Sequence, residues 1–311
     1  MADLSTIHTA LLALWAVLIF ASAAVFVFSR VKRDKDHGEL IQRTKSWWVM
    51  ITIFTVAQGT GETAGIVFLS FLSFLALKEF FSMIPTRRAD RRVLFWAYLA
   101  IPLQYYWAAM GWYGMFIIFI PVYMFLLVGL RLVIAQETEG FLKSAATIHW
   151  GLMTCVFSLS HAAFLLTLPD LDTRGGAGGA GLMFYLIALT QFNDVAQYVW
   201  GRSFGGKKIL PIISPKKTWA GFLGGMASTA IAAMLIAPWL TPFDMTHAFL
   251  TGLLIAAFGF IGDVSISAVK RDIGVKDFGS LIPGHGGILD RIDSLTFVAP
   301  LFFHYTWYFF Y

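Results

Sequence analysis

Apolar residues in this chain fall in long blocks separated by short polar stretches, not in the alternation of half-buried strands or the stripe of amphipathic helices. A run of about 20 apolar residues is the length that crosses a bilayer core as a helix. Ten blocks qualify as candidates: 8–29, 47–59, 64–84, 93–110, 112–130, 145–168, 181–200, 218–240, 247–265 and 295–311. The second is short and runs into the polar "QGTGET", which makes it the weakest as a complete span. The pattern predicts an all-α, polytopic integral membrane protein of about ten transmembrane helices. The first block resembles a secretory leader, with "ASA" at Ala21–Ala23. Asp3 and the lack of Lys or Arg ahead of it favour a retained helix instead.

Composition agrees with the pattern. The chain is 58% hydrophobic and 13% charged, against about 25% charged in soluble domains. A single cysteine, Cys155, excludes a disulfide framework and a multi-cysteine metal site. The net charge of +5 does not form the single basic stripe that nucleic acid would require, so no nucleic-acid partner is expected. Lys and Arg instead occupy alternate loops, at 30–46, 78–92, 131–143, 201–217 and 266–293. Of the 23, only Arg174 lies elsewhere. The positive-inside rule therefore places these loops in the cytoplasm. The stretch "RGGAGGAG" at Arg174–Gly181 reads as a flexible outer connector.

Ionisable residues inside the apolar blocks are costly and point to function. Asn193-Asp194, Asp263, and the pair Asp290 and Asp293 all approach the end of the membrane where the basic loops lie. Extending the ninth helix places Asp263, Ser267, Lys270 and Arg271 on one face. "GVKDFGSLIPGHGG" follows, whose glycines can turn tightly and offer backbone amides to phosphate oxygens. In Ser214-Pro215-Lys216-Lys217-Thr218 the proline is expected to start a helix, setting Lys216 and Lys217 at an anion-binding N-terminus. Carboxylates for a hard cation, basic groups for phosphates and a glycine-rich turn suit phosphoryl or nucleotidyl transfer. The plainer alternative is a cytoplasmic loop with ordinary salt bridges, and helix-dipole stabilisation accounts for part of Asp290 and Asp293. Gly201 to Lys208 fails as a nucleotide P-loop, because Lys208 replaces the metal-binding hydroxyl and a membrane helix precedes it. His161 reads as a packed core histidine, whereas His285, between glycines, is placed to contact phosphate.

The run Ser267-x2-Lys270-Arg271-x4-Lys276-Asp277-x5-Pro283-x-His285-Gly286-Gly287-x2-Asp290-Arg291-x-Asp293 resembles the signature of the phosphatidate cytidylyltransferase family at every position. The likeness extends upstream through Gly262-Asp263 and the Ser-Pro-Lys-Lys-Thr loop to Asp194. It divides the chain into N-terminal membrane helices, 1–180, and a catalytic region, 181–311. The resemblance implies magnesium-dependent transfer of CMP from CTP to a lipid phosphate, with phosphatidate giving CDP-diacylglycerol and pyrophosphate. It also implies a homodimer in a bacterial inner membrane. On this reading Asp263 and Asp290 ligate metal, supported by Asp293 and Asp194. Lys270, Arg271 and Arg291 join Asp263 and Asp290 in catalysis. Ser214, Lys216, Lys217, Thr218, Ser267, Lys276, Asp277, His285, Gly286 and Gly287 bind substrates. One departure stands out: Asp194-Val195-Ala196-Gln197-Tyr198 lacks the family's usual Gly-Ala-Tyr after the acid. That marks a divergent branch and leaves open acceptors other than phosphatidate. An ion-coupled or non-catalytic transporter and a CTP-dependent polyprenol kinase remain as alternatives.

Overall fold

The computed structural model describes residues 4–31, 37–84, 90–136, 138–171 and 177–311. Asp3, Arg87, Arg88 and Arg174, with Gly175 and Gly176 of the glycine-rich connector, lie outside them, and Gly178–Gly181 of that connector belong to a helix. Among the described residues, each of the ten apolar blocks lies within or across one helix. These are α1 (Leu4–Val31), α2 (Gly38–Gly59), α3 (Glu62–Met83), α4 (Asp90–Ala109), α5 (Tyr113–Ile134), α6 (Phe141–Leu165), α7 (Gly178–Phe204), α8 (Trp219–Leu240), α9 (Met245–Asp272) and α10 (Leu289–Phe310). Lipid offers no partner to backbone N–H and C=O groups, so apolar segments satisfy them internally as helix. Single π-helical turns interrupt α5 at Phe119–Met124 and α6 at Met153–Ser158. The first contains Pro121, which cannot donate a backbone hydrogen bond.

Six of these helices, α1, α3, α5, α6, α8 and α9, are long and apolar enough to cross a membrane. The chain is a mostly helical, multi-pass membrane protein. The other four contain 20 to 27 residues, but polar groups dilute them. In α7 and α10 those groups are the carboxylates singled out above. The short second block proves to be the end of a longer helix, since α2 begins nine residues ahead of it. Large apolar side chains such as Phe20, Val67, Phe95, Leu126 and Trp239 remain exposed, as a lipid-facing surface requires.

Two short strands depart from the all-helical expectation. β1 (Lys208–Leu210) pairs antiparallel with β2 (Ser214–Thr218), with Lys208 opposite Thr218 and Leu210 opposite Ser214. Pro215 therefore sits in a strand and does not start a helix, which corrects the sequence reading. A two-stranded ribbon tolerates the missing N–H at its edge. Thr218 is the residue that starts α8, its Oγ1 accepting from Gly221 N at 3.1 Å.

Packing of α9 on α10 sets the position of the acidic residues. At Gly262 a Cβ would lie 2.6 Å from the carbonyl oxygen of Asp293, so only glycine allows the two backbones this close. The contact is one residue from Asp263 and directly at Asp293. α10 also packs against α7, α6 and α3, which makes it the central post of the site.

Candidate active site

One cavity of about 360 Å³ collects the acidic residues. α7 contributes Asp194 and Tyr198, α9 contributes Asp263, and α10 contributes Asp290, Arg291 and Asp293. β2 adds Lys217, and α2 adds Arg43 and Trp47. A second cavity of about 440 Å³ adjoins it, sharing Asp194, Tyr198 and Lys217, and is lined by Arg202, Lys208, Lys216 and Thr218.

The paired charges differ in kind. Lys217 Nζ lies 2.5 Å from Asp263 Oδ2 and donates to Gln197 Oε1 at 3.2 Å. Burial alone would lower the lysine pKa, but the Asp263 and Asp194 carboxylates outweigh it and raise it above its usual value. Ser267 Oγ donates to the other Asp263 oxygen at 3.4 Å. Asp290, 4% exposed, is more tightly held. Its Oδ1 takes Lys270 Nζ at 2.8 Å, and its Oδ2 takes the amides of Phe278 at 2.8 Å and Gly287 at 3.0 Å. The glycine-rich loop is thus folded around this carboxylate. At Gly286, φ is +85° and a Cβ would lie 3.0 Å from Asp290 Oδ2, so glycine serves both the turn and the approach.

Asp194 and Asp293 form no ion pair among the described residues. Ser294 links them: its Oγ donates to both Asp194 oxygens at 3.2 Å, and its backbone amide donates to Asp293 Oδ1 at 2.7 Å. Asn193 is turned away into packing, between Thr229 Oγ1 and Ala256 O.

The remaining predicted residues divide. Lys216 and Thr218 line the second cavity, Thr218 also capping α8. Ser214 is a hairpin residue, and Arg271 Nε donates to Ile213 O at 3.3 Å on the exposed side. Both therefore brace the hairpin without lining either cavity. Lys276 and Asp277 are exposed on the loop and also line neither. His285 packs edge-on to Trp47, with ring centroids 5.9 Å apart, and its Nδ1 is buried without a hydrogen-bond partner among the described residues. Burial and then Arg291 and Arg43 push its pKa down. His161 is fully buried among Phe116, Phe157 and Phe303, with its Nδ1 2.8 Å from Phe157 O.

Oxygen ligands of this hardness suit magnesium. Among the described residues, no three His, Cys, Asp or Glu side chains form a ready-made metal cluster. The donor set fits an ion held through one or two carboxylates and completed by substrate phosphates.

Sequence reasoning passed over three contributors. Arg43 and Trp47 were absorbed into the count of loop charges and an apolar block. Their cavity position depends on α2 packing against a loop about 240 residues away, with Arg43 Nε donating to Gly284 O at 3.1 Å and Ser46 Oγ to Pro283 O at 2.7 Å. Glu79, a carboxylate at the end of the "FLALKEFF" block, carried the same signal as Asp194. Its Oε2 accepts from Leu289 N at 2.9 Å.

Comparison with known proteins bears on this arrangement. The model of a family described as the cytidylyltransferase family matches residues 41–309, well beyond the C-terminal segment that carries the sequence resemblance and leaving all of α1 outside. The chain is 42% identical over 300 residues to the uncharacterized protein YnbB of Escherichia coli (strain K12), covering 96% of this chain and 98% of that one. It is 40% identical over 125 residues to a phosphatidate cytidylyltransferase of Staphylococcus aureus (strain COL), covering 40% of this chain and 48% of that one. A phosphatidate cytidylyltransferase of Brucella suis biovar 1 (strain 1330) is 39% identical over 125 residues, 40% of this chain and 46% of its own. These matches span about half the length of the two named cytidylyltransferases.

Proposed function

The chain belongs to the cytidylyltransferase family, and from that premise we propose that it transfers CMP from CTP to a lipid phosphate, phosphatidate being the first acceptor to test. The products are a CDP-lipid and pyrophosphate. One observation carries the reading: Asp194, Asp263, Asp290 and Asp293 line a single cavity with Lys217 and Arg291, next to a second cavity lined by Lys216, Arg202 and Lys208. An acidic centre flanked by basic walls is what two phosphate-bearing substrates and a divalent cation require.

The phosphate monoester of the lipid has a second pKa near 6 and is mostly dianionic at neutral pH. Its oxygen forms a bond to the α-phosphorus of CTP as the bond to the bridging oxygen breaks, and pyrophosphate leaves. Neither a general base nor an enzyme nucleophile is needed. The work is to bring two anions together. Lys216, Lys217, Arg202 and Lys208 neutralise the nucleotide's phosphates, and the hairpin holds the first two in place. One or two of Asp263, Asp290, Asp293 and Asp194, Asp263 first among them, would hold magnesium, which supplies charge neutralisation between the reacting phosphates.

On this reading all ten helices cross the bacterial inner membrane and the site faces the cytoplasm, where CTP is present and the Lys and Arg bias points. The family resemblance supports a homodimer.

Incubation of the purified protein with labelled CTP, magnesium and a panel of lipid phosphates tests the reaction. Formation of a CDP-lipid with one pyrophosphate per turnover is expected. Release of CDP would show a kinase, and no product with any lipid phosphate would overturn the reading.

A further inference from the structure

α2 and α7 touch at one end and part at the other. Away from the site, the rings of Phe54 and Phe184 lie 6.1 Å apart and Gln58 Nε2 lies 3.7 Å from Met183 Sδ. At the site end the acidic cavity opens between the same two helices, with Arg43 and Trp47 on one wall and Val195 and Tyr198 on the other. The α7 wall is not sealed by packing, since Val195 is 57% and Tyr198 61% exposed. Beside them Phe192 and Val199 on α7 are exposed too. Exposed apolar side chains on a membrane protein lie against acyl chains, so this gap faces lipid.

The gap also carries charge of the right sign. Arg43 pairs with Glu39 at 2.5 Å, and the two side chains are 52% and 73% exposed, a contact that a phosphate can displace. Arg291 makes no ion pair among the described residues. Both guanidinium groups bear on His285, which packs against Trp47. A guanidinium fork matches a phosphate monoester in two hydrogen bonds, and a tryptophan ring is at home at headgroup level. The hairpin lysines line the other cavity, and the two cavities meet at Asp194 and Lys217.

We infer that Arg43 and Trp47 of α2, with Arg291 of α10, form the subsite for the acceptor lipid's phosphate. The lipid enters it sideways between α2 and α7, and CTP occupies the second cavity. The inference rests on the proposed transfer reaction for its chemistry, and it assigns α2 the choice of acceptor.

The test compares Arg43→Gln and Trp47→Ala with the unaltered protein in mixed micelles. Rates are measured against phosphatidate mole fraction at saturating CTP, and against CTP at saturating lipid. The expected result is a rise of at least tenfold in the lipid KM with the CTP KM within twofold, and partial recovery in Arg43→Lys. A second measurement does not depend on turnover. Thermal unfolding in detergent is followed with dioleoyl phosphatidate, dioleoyl phosphatidylcholine or CTP added. Phosphatidate is expected to raise Tm more than phosphatidylcholine does, with that increment lost in Arg43→Gln and kept in Lys216→Ala. An increment unchanged in Arg43→Gln, or a CTP KM that rises in place of the lipid KM, overturns the subsite. If the increments behave as expected but no CDP-lipid forms, the subsite stands and the transfer reaction is wrong.

Discussion

Glu79 Oε2, near the end of α3, accepts a 2.9 Å hydrogen bond from the backbone amide of Leu289, the first residue of α10. A carboxylate from the N-terminal half thereby holds the helix that presents Asp290 and Asp293. First-turn amides have no partner inside the helix, and the local dipole favours a negative charge there. Its other oxygen is buried without a partner among the described residues. Glu79→Ala is expected to cost about 1–3 kcal/mol, the penalty for an unsatisfied buried donor, and to lower kcat more than it changes either KM. Glu79→Gln keeps an acceptor and should lose less. Thermal unfolding and kinetics of both variants check this, and wild-type Tm with wild-type kcat in Glu79→Ala would remove the role.

Lys216 and Lys217 differ in surroundings although they are neighbours. Lys216 is exposed on the rim of the second cavity, whereas Lys217 is tied to Asp263 and Gln197. Loss of a charge-assisted phosphate contact costs about 1.5–3 kcal/mol. Lys216→Ala should therefore raise the CTP KM by roughly 10- to 150-fold with little change in the lipid KM. Lys217→Ala should also alter the magnesium dependence, because it frees an Asp263 oxygen. An unchanged CTP dependence in both variants would remove the hairpin from the site.

Much of this was written in the sequence, and the reason is specific. Lipid leaves helix as the available structure for apolar blocks, so the helices could be read from block length alone. Asp194 and Asp263 stood out because charge is expensive in such blocks, and Asp290 and Asp293 because they fall in the signature just ahead of the tenth. Pro215 was misread because the same residue suits a helix start or a ribbon edge, and only pairing with Lys208–Leu210 decides between them. Glu79, Arg43 and Trp47 were hidden for another reason. Their contacts reach more than 200 residues along the chain, and no local spacing encodes which face of α2 or α3 meets the loop.

Orientation can be tested with one added thiol. Cys155 is fully buried and Ser280 is exposed on the loop between α9 and α10. Cysteine introduced as Ser280→Cys in a Cys155→Ala background should react with a membrane-impermeant maleimide from the cytoplasmic side only. Labelling from the opposite side would invert the topology and move the site away from CTP.

His285 predicts a pH effect with a definite sign. Its pKa is lowered in the folded protein by burial, Arg291 and Arg43, so below the ordinary value near 6.5 the unfolded chain binds a proton that the folded one does not. Stability from this residue is fully present above about 6.5 and declines as pH falls below it. Between pH 7.5 and 5.5 the unaltered protein should lose more Tm than His285→Gln. Parallel curves would show that the imidazole is not held neutral.

Asp263 and Asp290 carry equal weight in the sequence, but their surroundings separate them. Both oxygens of Asp290 face donors: Lys270 Nζ on one, and the amides of Phe278 and Gly287 on the other. An asparagine there would turn its NH₂ toward donors and strand Lys270, whose side chain is 12% exposed. Removing one partner of a buried pair costs about 3–5 kcal/mol. Asp263 pairs with Lys217 where the side chains are 22% and 20% exposed, and its other oxygen meets only a long hydroxyl contact. Asp263→Asn keeps the shape, so its folding cost should be small while the charge needed for a divalent cation is lost. The expected outcome is a near-normal Tm with turnover abolished for Asp263→Asn. Asp290→Asn should lose both stability and turnover. Thermal unfolding in detergent and activity across a magnesium titration distinguish the two. Normal turnover at ordinary magnesium in Asp263→Asn would show that this carboxylate is no essential ligand, and equal Tm values for the two variants would show that Asp290 is not the clamp of the glycine-rich loop.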